Sequence, residues 1–286
     1  MKRRLVIILG PTAVGKTDFS IETAQRYYSP VISCDSRQLY KEMRIGTAVP
    51  SPEQLAAVRH YFIQTVPVTE AWDAGRYAEE ALALIDRLFK EGHETLVMCG
   101  GSMFYIDAVC NGLDVFPDVD PDVRRALQER LAQEGLPVLS DELRRLDPAT
   151  AAAIDMSNPA RVLRALEVCM SSGKPFSSFK TGKQAKRDFE IEKIGLSRPR
   201  EELYDRINRR VHAMVEEGLE EEVRSLLPYR SLTPLQTVGY KEMFDHIDGK
   251  TSLDEAVSLI RQHSRNYAKR QLTWWRRDKD IRWIEV

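Results

Sequence analysis

A phosphate-binding loop is the clearest chemical feature of this sequence. Residues 10–17 are Gly-Pro-Thr-Ala-Val-Gly-Lys-Thr, directly after the apolar run Leu5–Leu9 and before a helical pattern. A glycine-rich turn between a strand and a helix points backbone N–H groups and the positive helix end at phosphate oxygens. Lys16 is placed to reach the terminal phosphates, and the Thr17 hydroxyl can bind Mg²⁺ or a phosphate oxygen. The residues predicted to bind a phosphate chain are Gly10, Pro11, Thr12, Ala13, Val14, Gly15, Lys16 and Thr17.

Polar residues also follow two other predicted strands. Asp35 comes after Val31–Cys34, where it could hold Mg²⁺, act as a general base, or cap a turn together with Ser36. The segment Gly100-Gly101-Ser102 follows Thr95–Cys99; its glycines permit close backbone approach, and Ser102 can cap a helix or contact a ligand. No acid ends this strand, which argues against an ATPase or GTPase with an acid-bound metal and a positioned water.

Two basic clusters leave alternatives open. Arg206 and Arg210 lie four residues apart on a predicted helix, where they could neutralise a leaving phosphate group or form a solvated face. From Arg261 to Trp283 the chain has eight Lys or Arg residues and only two acids. Basic residues beside aromatic ones suit RNA, but tryptophans in the core with arginines on a solvent face explain this pattern equally well.

Strand and helix patterns alternate along the chain, which predicts an α/β fold with a P-loop NTPase-like parallel sheet core. The predicted strands are Arg4–Leu9, Val31–Cys34, Tyr61–Ile63, Thr95–Cys99, Glu190–Leu196 and Ile281–Ile284. A turn-rich segment, Asp114–Pro121, precedes a run of helical patterns. We therefore predict core residues 1–117, a mostly helical insertion domain over 118–188, and a second core part over 189–286 with a basic C-terminal helix.

Composition places the chain among folded intracellular proteins. It has 286 residues, 43% of them hydrophobic and 30% charged, with a formal net charge of −1. Its four cysteines form no C-x-x-C pair, which favours a reduced, cytoplasmic setting. The apolar run behind Met1–Arg4 is only five residues long, so it predicts a strand rather than a signal peptide. No apolar stretch approaches the roughly 20 residues that span a membrane.

Taken in order, several segments resemble the tRNA dimethylallyltransferase family, also called tRNA isopentenyltransferases, in its bacterial form. They are Gly10–Thr17, Asp35–Tyr40, Ile45–Ala48, Gly100–Tyr105, Asn158–Glu167, Gly218–Val223, Val238–Tyr240 and Arg265–Trp274. The resemblance covers essentially the whole chain. It implies an enzyme that transfers the dimethylallyl group of dimethylallyl diphosphate to the N6 amine of the adenosine at tRNA position 37, beside the anticodon, and releases diphosphate.

The resemblance also implies roles for single residues. The phosphate loop would hold the diphosphate of the prenyl donor, with Mg²⁺ as cofactor and Thr17 as its ligand. Asp35, Thr17 and Arg206 would be catalytic: Asp35 accepts a proton from the amine, and Arg206 stabilises the departing diphosphate. The insertion domain would grip the anticodon stem-loop. The implied tRNA-binding residues are Asp35, Ser36, Arg37, Gln38, Ser102, Arg124, Asn158, Pro159, Ala160, Arg161, Val162, Gln236, Thr237, Val238, Gly239, Tyr240 and Lys241.

The sequence departs from the family pattern at two places, and three alternative functions are also compatible with it. The family usually has Gly-Gly-Thr-Gly-Leu-Tyr at Gly100–Tyr105, so Met103 stands where a glycine is expected. No C-terminal segment resembles a zinc finger, and we expect a cytoplasmic monomer without zinc or a membrane partner. The alternatives are a prenyltransferase for free adenine nucleotides, an ATP-binding nucleotide kinase, and a non-catalytic RNA-binding module.

Overall fold

The computed structural model describes residues 3–182 and 185–286. Met1 and Lys2 of the Met1–Arg4 segment, and Lys183 and Gln184 near the end of the predicted insertion, lie outside the described residues. The chain divides into two compact units: a core that runs to Asn111 and resumes at Lys186, and a second unit, Gly112–Ala185.

The core contains a six-stranded, all-parallel sheet, which confirms the predicted fold class. Its strands are β1 (Arg4–Leu9), β2 (Val31–Ser33), β3 (His60–Tyr61), β4 (Thr95–Gly100), β5 (Glu190–Ser197) and β6 (Ile281–Glu285). They lie in the order β3-β2-β4-β1-β5-β6. The predicted strand Tyr61–Ile63 is wrong in its second half, because Phe62 has a φ of 62° and leaves the extended conformation.

The described residues also form helices on both faces of the sheet and throughout the second unit. They are α1 (Lys16–Arg26), α2 (Pro52–Ala57), α3 (Ala74–Lys90), α4 (Met103–Asn111), α5 (Pro121–Glu134), α6 (Leu136–Leu146), α7 (Pro148–Ala153), α8 (Pro159–Ser172), α9 (Arg200–Glu216), α10 (Leu219–Ser225), α11 (Tyr240–Ile247) and α12 (Leu253–Trp275). None of these helices is both long enough and apolar enough to cross a membrane.

The continuous apolar run of β1 follows from its central place in the sheet. Leu5, Ile7 and Leu9 pack with residues of α3 and α4 on one face. Val6 and Ile8 pack with residues of α1, α9 and α12 on the other. A central parallel strand is covered on both faces, so apolar residues need not alternate with polar ones. This burial fixes the carboxyl end of β1, from which the phosphate loop departs.

The second unit has an apolar core of its own. Leu127, Leu139, Leu143 and Leu166 are buried together between α5, α6 and α8. The unit begins at residue 112 rather than at the predicted 118 because the turn-rich segment packs with it. Phe116 stacks on Phe176 at 4.5 Å between ring centroids.

Candidate active site

The phosphate loop joins β1 to α1 in a conformation that depends on its glycines. Gly10 and Gly15 have φ values of 150° and 109°. A Cβ on Gly10 would lie 2.7 Å from the carbonyl oxygen of Leu196 on β5. Helix α1 begins at Lys16 without a side-chain cap. The N–H groups of its first turn are therefore able to bind an anion.

The Lys16 ammonium folds back over this loop. Its Nζ donates to the carbonyl oxygens of Gly10 and Pro11, both at 2.9 Å. Desolvation is the largest influence on the pKa of Lys16 and lowers it, while the negative charge of Asp35 acts in the opposite direction. An anion at the loop would supply negative charge beside Nζ and favour the charged lysine.

Three arginines hold the phosphate loop from the side of β5 and α9. Arg198 Nε donates to the carbonyl oxygen of Val14 at 2.9 Å, and Arg206 Nε donates to that of Ala13 at 2.8 Å. A Cβ on Gly15 would lie 3.7 Å from Nη2 of Arg198 and 3.9 Å from Nη2 of Arg206. The outer guanidinium nitrogens of both arginines thus lie at the turn that would hold phosphate.

Arg210, one helical turn after Arg206, completes this group. Its Nη2 donates to the Thr12 hydroxyl, and its Nε is buried without a partner among the described residues. Desolvation lowers the pKa of Arg210, the charge of Asp35 raises it, and the charge of Arg206 lowers it further. The predicted pair of arginines on one helix face therefore faces the phosphate loop and is not a solvated face.

Asp35, just after β2, caps a turn with one carboxylate oxygen and leaves the other without a hydrogen bond from the described residues. Its Oδ1 accepts hydrogen bonds from the backbone N–H groups of Arg37, at 2.8 Å, and Gln38, at 3.2 Å. No hydrogen bond from the described residues reaches Oδ2. The predicted turn cap is therefore present, and the second oxygen is still able to accept a proton.

The loop after β4 packs tightly against the Asp35 segment. A Cβ on Gly100 would lie 2.5 Å from the carbonyl group of Cys34, so only glycine fits. Ser102 is buried, and its Oγ accepts from the backbone N–H of Ser36 at 2.8 Å. Met103 begins α4 without a positive φ, so the missing glycine of the family pattern imposes no strain here.

A cavity of about 590 Å³ opens beside the phosphate loop and Asp35. Thr12 and Arg210 line its phosphate end, and Val211, Met214 and Ile260 add apolar wall. Of the residues predicted to bind tRNA, those that line it are Asp35, Ser36, Arg37, Gln236, Thr237, Val238, Gly239 and Lys241. Segments far apart in the sequence therefore meet at one cavity.

Other predicted tRNA-binding residues of the core build its walls. Gln38 Nε2 donates to the carbonyl oxygens of Thr47, at 3.1 Å, and Ala48, at 2.8 Å. Tyr240 is fully buried, and its hydroxyl donates to Glu222 at 2.7 Å. These side chains shape the loop that contributes Gly46 and Thr47 to the cavity.

In the second unit, the predicted tRNA-binding residues cluster at the start of α8. The Asn158 side chain caps this helix by accepting from the backbone N–H groups of Ala160 and Arg161, at 3.1 and 3.3 Å. Pro159 occupies the first turn and Val162 is buried. The other predicted residue, Arg124 on α5, pairs with Glu167 of α8 at 3.2 Å.

Some residues of the basic C-terminal helix make contacts within the fold, and others are exposed. Arg265 Nη1 donates to Asn208 of α9 at 2.7 Å, whereas Lys269 is exposed. Trp275 is buried in the core, and the Nε1 of Trp274 donates to Asp107 at 3.0 Å. The predicted core role holds for Trp275, and Lys269 offers a charge at the surface.

Several site residues were absent from the sequence prediction. Arg198 lies directly after β5, so the rule that polar residues at carboxyl ends of strands form the site would have found it. Glu222 lies in the family-like segment Gly218–Val223, but its contact was not predicted: its carboxylate accepts from the N–H groups of Arg44, Ile45 and Gly46 at 2.7–3.0 Å. This contact joins residues nearly two hundred positions apart, which periodicity cannot reveal.

Comparison with known proteins supplies the family. The sequence model of the IPP transferase family matches residues 38–278. The chain belongs to this family. It is similar to tRNA dimethylallyltransferase 1 of Bacteroides thetaiotaomicron, with 49% identity over 280 residues, 98% of this chain and 91% of the relative. It is also 50% identical over 280 residues to tRNA dimethylallyltransferase 2 of Porphyromonas gingivalis, covering 98% and 93% of the two chains.

The fold of this chain is also similar to that of solved structures. A full-length tRNA isopentenylpyrophosphate transferase from Bacillus halodurans has a TM-score of 0.72 at 38% identity, with 99% of this chain and 90% of that chain covered. A eukaryotic dimethylallyltransferase described as acting on tRNA has a TM-score of 0.80 at 25% identity, with 99% and 74% covered. The family resemblance stated from the sequence is thus confirmed.

Proposed function

We propose that this chain transfers the dimethylallyl group from dimethylallyl diphosphate to N6 of adenosine 37 in tRNA. Membership of the IPP transferase family and the names of its relatives support this activity. The observation that carries it is a phosphate loop whose neighbouring strand β4 ends in glycine, next to a cavity lined by the carboxylate of Asp35. This arrangement suits departure of a diphosphate from carbon better than attack of water on a phosphate.

In the proposed reaction, the N6 nitrogen attacks C1 of the dimethylallyl group, the carbon bonded to the diphosphate oxygen. The new N–C bond forms as the C–O bond to diphosphate breaks, and the diphosphate leaves with that electron pair. Asp35 Oδ2 accepts the proton that N6 loses. An adenine amine is a weak nucleophile, so removal of its proton during bond formation is effective assistance.

The positive groups around the phosphate loop would stabilise the leaving diphosphate. Lys16, Arg198 and Arg206 all lie at the loop, and the outer nitrogens of the two arginines approach Gly15. Fixed donors and charges of this kind act most strongly where negative charge develops in the transition state. Arg206 is the arginine that the family pattern implies for this role.

Mg²⁺ is proposed to bind together with the diphosphate. The described residues contain no cluster of three acidic, histidine or cysteine side chains able to hold a metal. The Thr17 hydroxyl is at the first turn of α1 and fits a site in which phosphate oxygens and water supply most ligands, as Mg²⁺ commonly accepts. When bound, the ion would offset part of the diphosphate charge.

The tRNA would approach the cavity with its target adenine turned out of the stack, since an amine within a stacked loop cannot reach a buried carbon. Segments 35–38 and 236–241 supply the wall of the cavity or its support. We assign the anticodon stem-loop as the partner of Arg124 and Asn158–Val162 on the basis of the family pattern.

The deciding experiment measures transfer of radiolabelled dimethylallyl diphosphate, with Mg²⁺, to an unmodified anticodon stem-loop and in parallel to AMP. Label in the stem-loop alone supports the proposal. Label in AMP alone would assign the chain to nucleotide prenylation instead. If neither acceptor is labelled, the proposal is wrong, and phosphoryl transfer from ATP becomes the reaction to test.

A further inference from the structure

Gln271, on α12, lies between two loops of the candidate active site. Its side chain is almost completely buried, with 1% of the residue exposed. Oε1 accepts from the backbone N–H of Thr12 in the phosphate loop at 2.9 Å. Nε2 donates to the carbonyl oxygen of Gly101, after β4, at 2.8 Å. One side-chain amide therefore joins the phosphate loop to the loop after β4.

The contact is specific for an amide in this position. Thr12 offers a hydrogen-bond donor and Gly101 offers an acceptor. Among uncharged side chains of this length, only an amide carries an acceptor oxygen and a donor nitrogen at a fixed separation. A Cβ on Gly101 would lie 2.5 Å from Nε2, so the glycine makes room for the amide. Loss of the amide would leave the partly buried N–H of Thr12 without this acceptor, and the carbonyl of Gly101 with only the long contact from the Tyr267 hydroxyl at 3.5 Å.

The connection continues from Gly101 to the carboxylate of Asp35. The adjacent Ser102 donates its backbone N–H to the carbonyl oxygen of Cys34 at 3.3 Å. Its Oγ accepts from the backbone N–H of Ser36 at 2.8 Å. These two bonds flank Asp35 on both sides along the chain. A continuous path thus runs from Thr12 through Gln271 and Ser102 to the segment that carries the carboxylate.

We propose that Gln271 is a positioning residue, which holds the phosphate loop and Asp35 at a fixed separation. This inference rests on the function proposed above, since it assumes a donor diphosphate at the loop and a proton acceptor at Asp35. Gln271 acts through Thr12 and Gly101 and does not touch the reacting atoms. Displacement of reacting groups by about 1 Å can lower a rate on the order of 100-fold, so a fixed separation matters for the chemical step.

The test replaces Gln271 by methionine, which is similar in length and carries no amide. In Gln271→Met we expect the single-turnover transfer rate at saturating donor and stem-loop to fall about tenfold or more. The Kd for inorganic diphosphate with Mg²⁺ should change less than about threefold, because the contacts of Lys16 and the arginines remain. The amide of Thr12 should exchange its hydrogen faster. Gln262→Met, at an exposed position of the same helix, is the matched control and should behave as wild type.

A second variant separates positioning from simple packing. Ser102→Ala removes the Oγ bond to Ser36 in the later part of the same path, so its effect and that of Gln271→Met should be non-additive in a double-mutant cycle. A wild-type transfer rate in Gln271→Met would overturn the inference. It would also be overturned if the transfer rate and the affinity for diphosphate fell equally, and both in proportion to the fraction of protein that is folded. If wild type itself transfers no label, the proposed function fails, whereas unchanged exchange at Thr12 would refute the link itself.

Discussion

At the residue scale, Asp35 shows how one carboxylate can cap a turn with one oxygen and present the other for the proposed chemistry. Oδ1 is occupied by the turn that follows β2, where it accepts from Arg37 and Gln38. This fixes the carboxylate with respect to the cavity before any substrate binds. Of the three roles that the sequence left as alternatives, the turn cap and the general base are therefore compatible, one for each oxygen.

Asp35→Asn separates these roles, because an amide oxygen can still accept both backbone hydrogen bonds but the side chain no longer accepts a proton. We expect the single-turnover transfer rate to fall by about 10²- to 10⁴-fold, the usual contribution of a general base. Binding of stem-loop and of inorganic diphosphate, measured by fluorescence anisotropy and calorimetry, should change little. A loss of stem-loop affinity as large as the loss of rate would assign Asp35 to binding alone.

Arg206→Ala tests stabilisation of the departing diphosphate. Its guanidinium lies at Ala13 and Gly15, so we expect a rate lower by roughly 100-fold and weaker binding of inorganic diphosphate. Arg209→Ala is the control: this neighbour on α9 is exposed and pairs with Asp205 at 2.8 Å. An unchanged rate in Arg206→Ala would limit Arg206 to bracing the loop.

At the scale of elements, the sequence predicted the parts of the site that follow from local pattern. The strand β1 and the start of α1 are marked by an apolar run and a loop motif, and the structure places both as predicted. The six-residue α7 and the eight-residue α11 were not predicted, because elements this short contain few helical repeats. Gln271 and Glu222 escaped because their partners are distant in sequence.

The second unit depends on a polar contact between its short elements. Asp147 is buried and caps α7: it accepts from the N–H and hydroxyl of Thr150, at 3.0 and 2.6 Å. It also accepts from the N–H and hydroxyl of Ser177, at 2.7 and 2.8 Å. Burial raises the pKa of Asp147, but these hydrogen bonds outweigh it and lower the pKa below its usual value.

We therefore predict that the second unit loses stability in acid. A depressed folded-state pKa stabilises the fold above the unfolded pKa of about 3.9, and this contribution disappears as the pH falls through the folded value. Asp147→Asn should remove roughly 1–3 kcal/mol at neutral pH, seen as faster hydrogen exchange within 112–185 of the full chain. Asp141→Asn, at an exposed ion pair with Arg144, is the control. Equal exchange in both variants would contradict this role of Asp147.

At the scale of the whole molecule, charge is distributed unevenly although the net charge is only −1. The stretch from Arg261 to Trp283 has an excess of six positive charges. Part of this charge serves the fold, as Arg265 does through Asn208. Arg270 lines the cavity, and the exposed Lys269 stands next to it in the chain. A charge change at Lys269 therefore tests the electrostatic contribution of this stretch to RNA binding separately from its contribution to the fold.

Lys269→Glu should weaken binding of the anticodon stem-loop several-fold at low salt. The loss should shrink as salt rises, because each phosphate contact adds about 0.7–0.9 to the slope of log K against log salt. The transfer rate from the saturated complex should stay near wild type, since no group at the phosphate loop changes. Lys90→Glu reverses an exposed charge on α3, where Lys90 pairs with Asp86, and serves as the matched control. Identical affinity and salt slope in wild type and Lys269→Glu would show that RNA does not meet this face of α12.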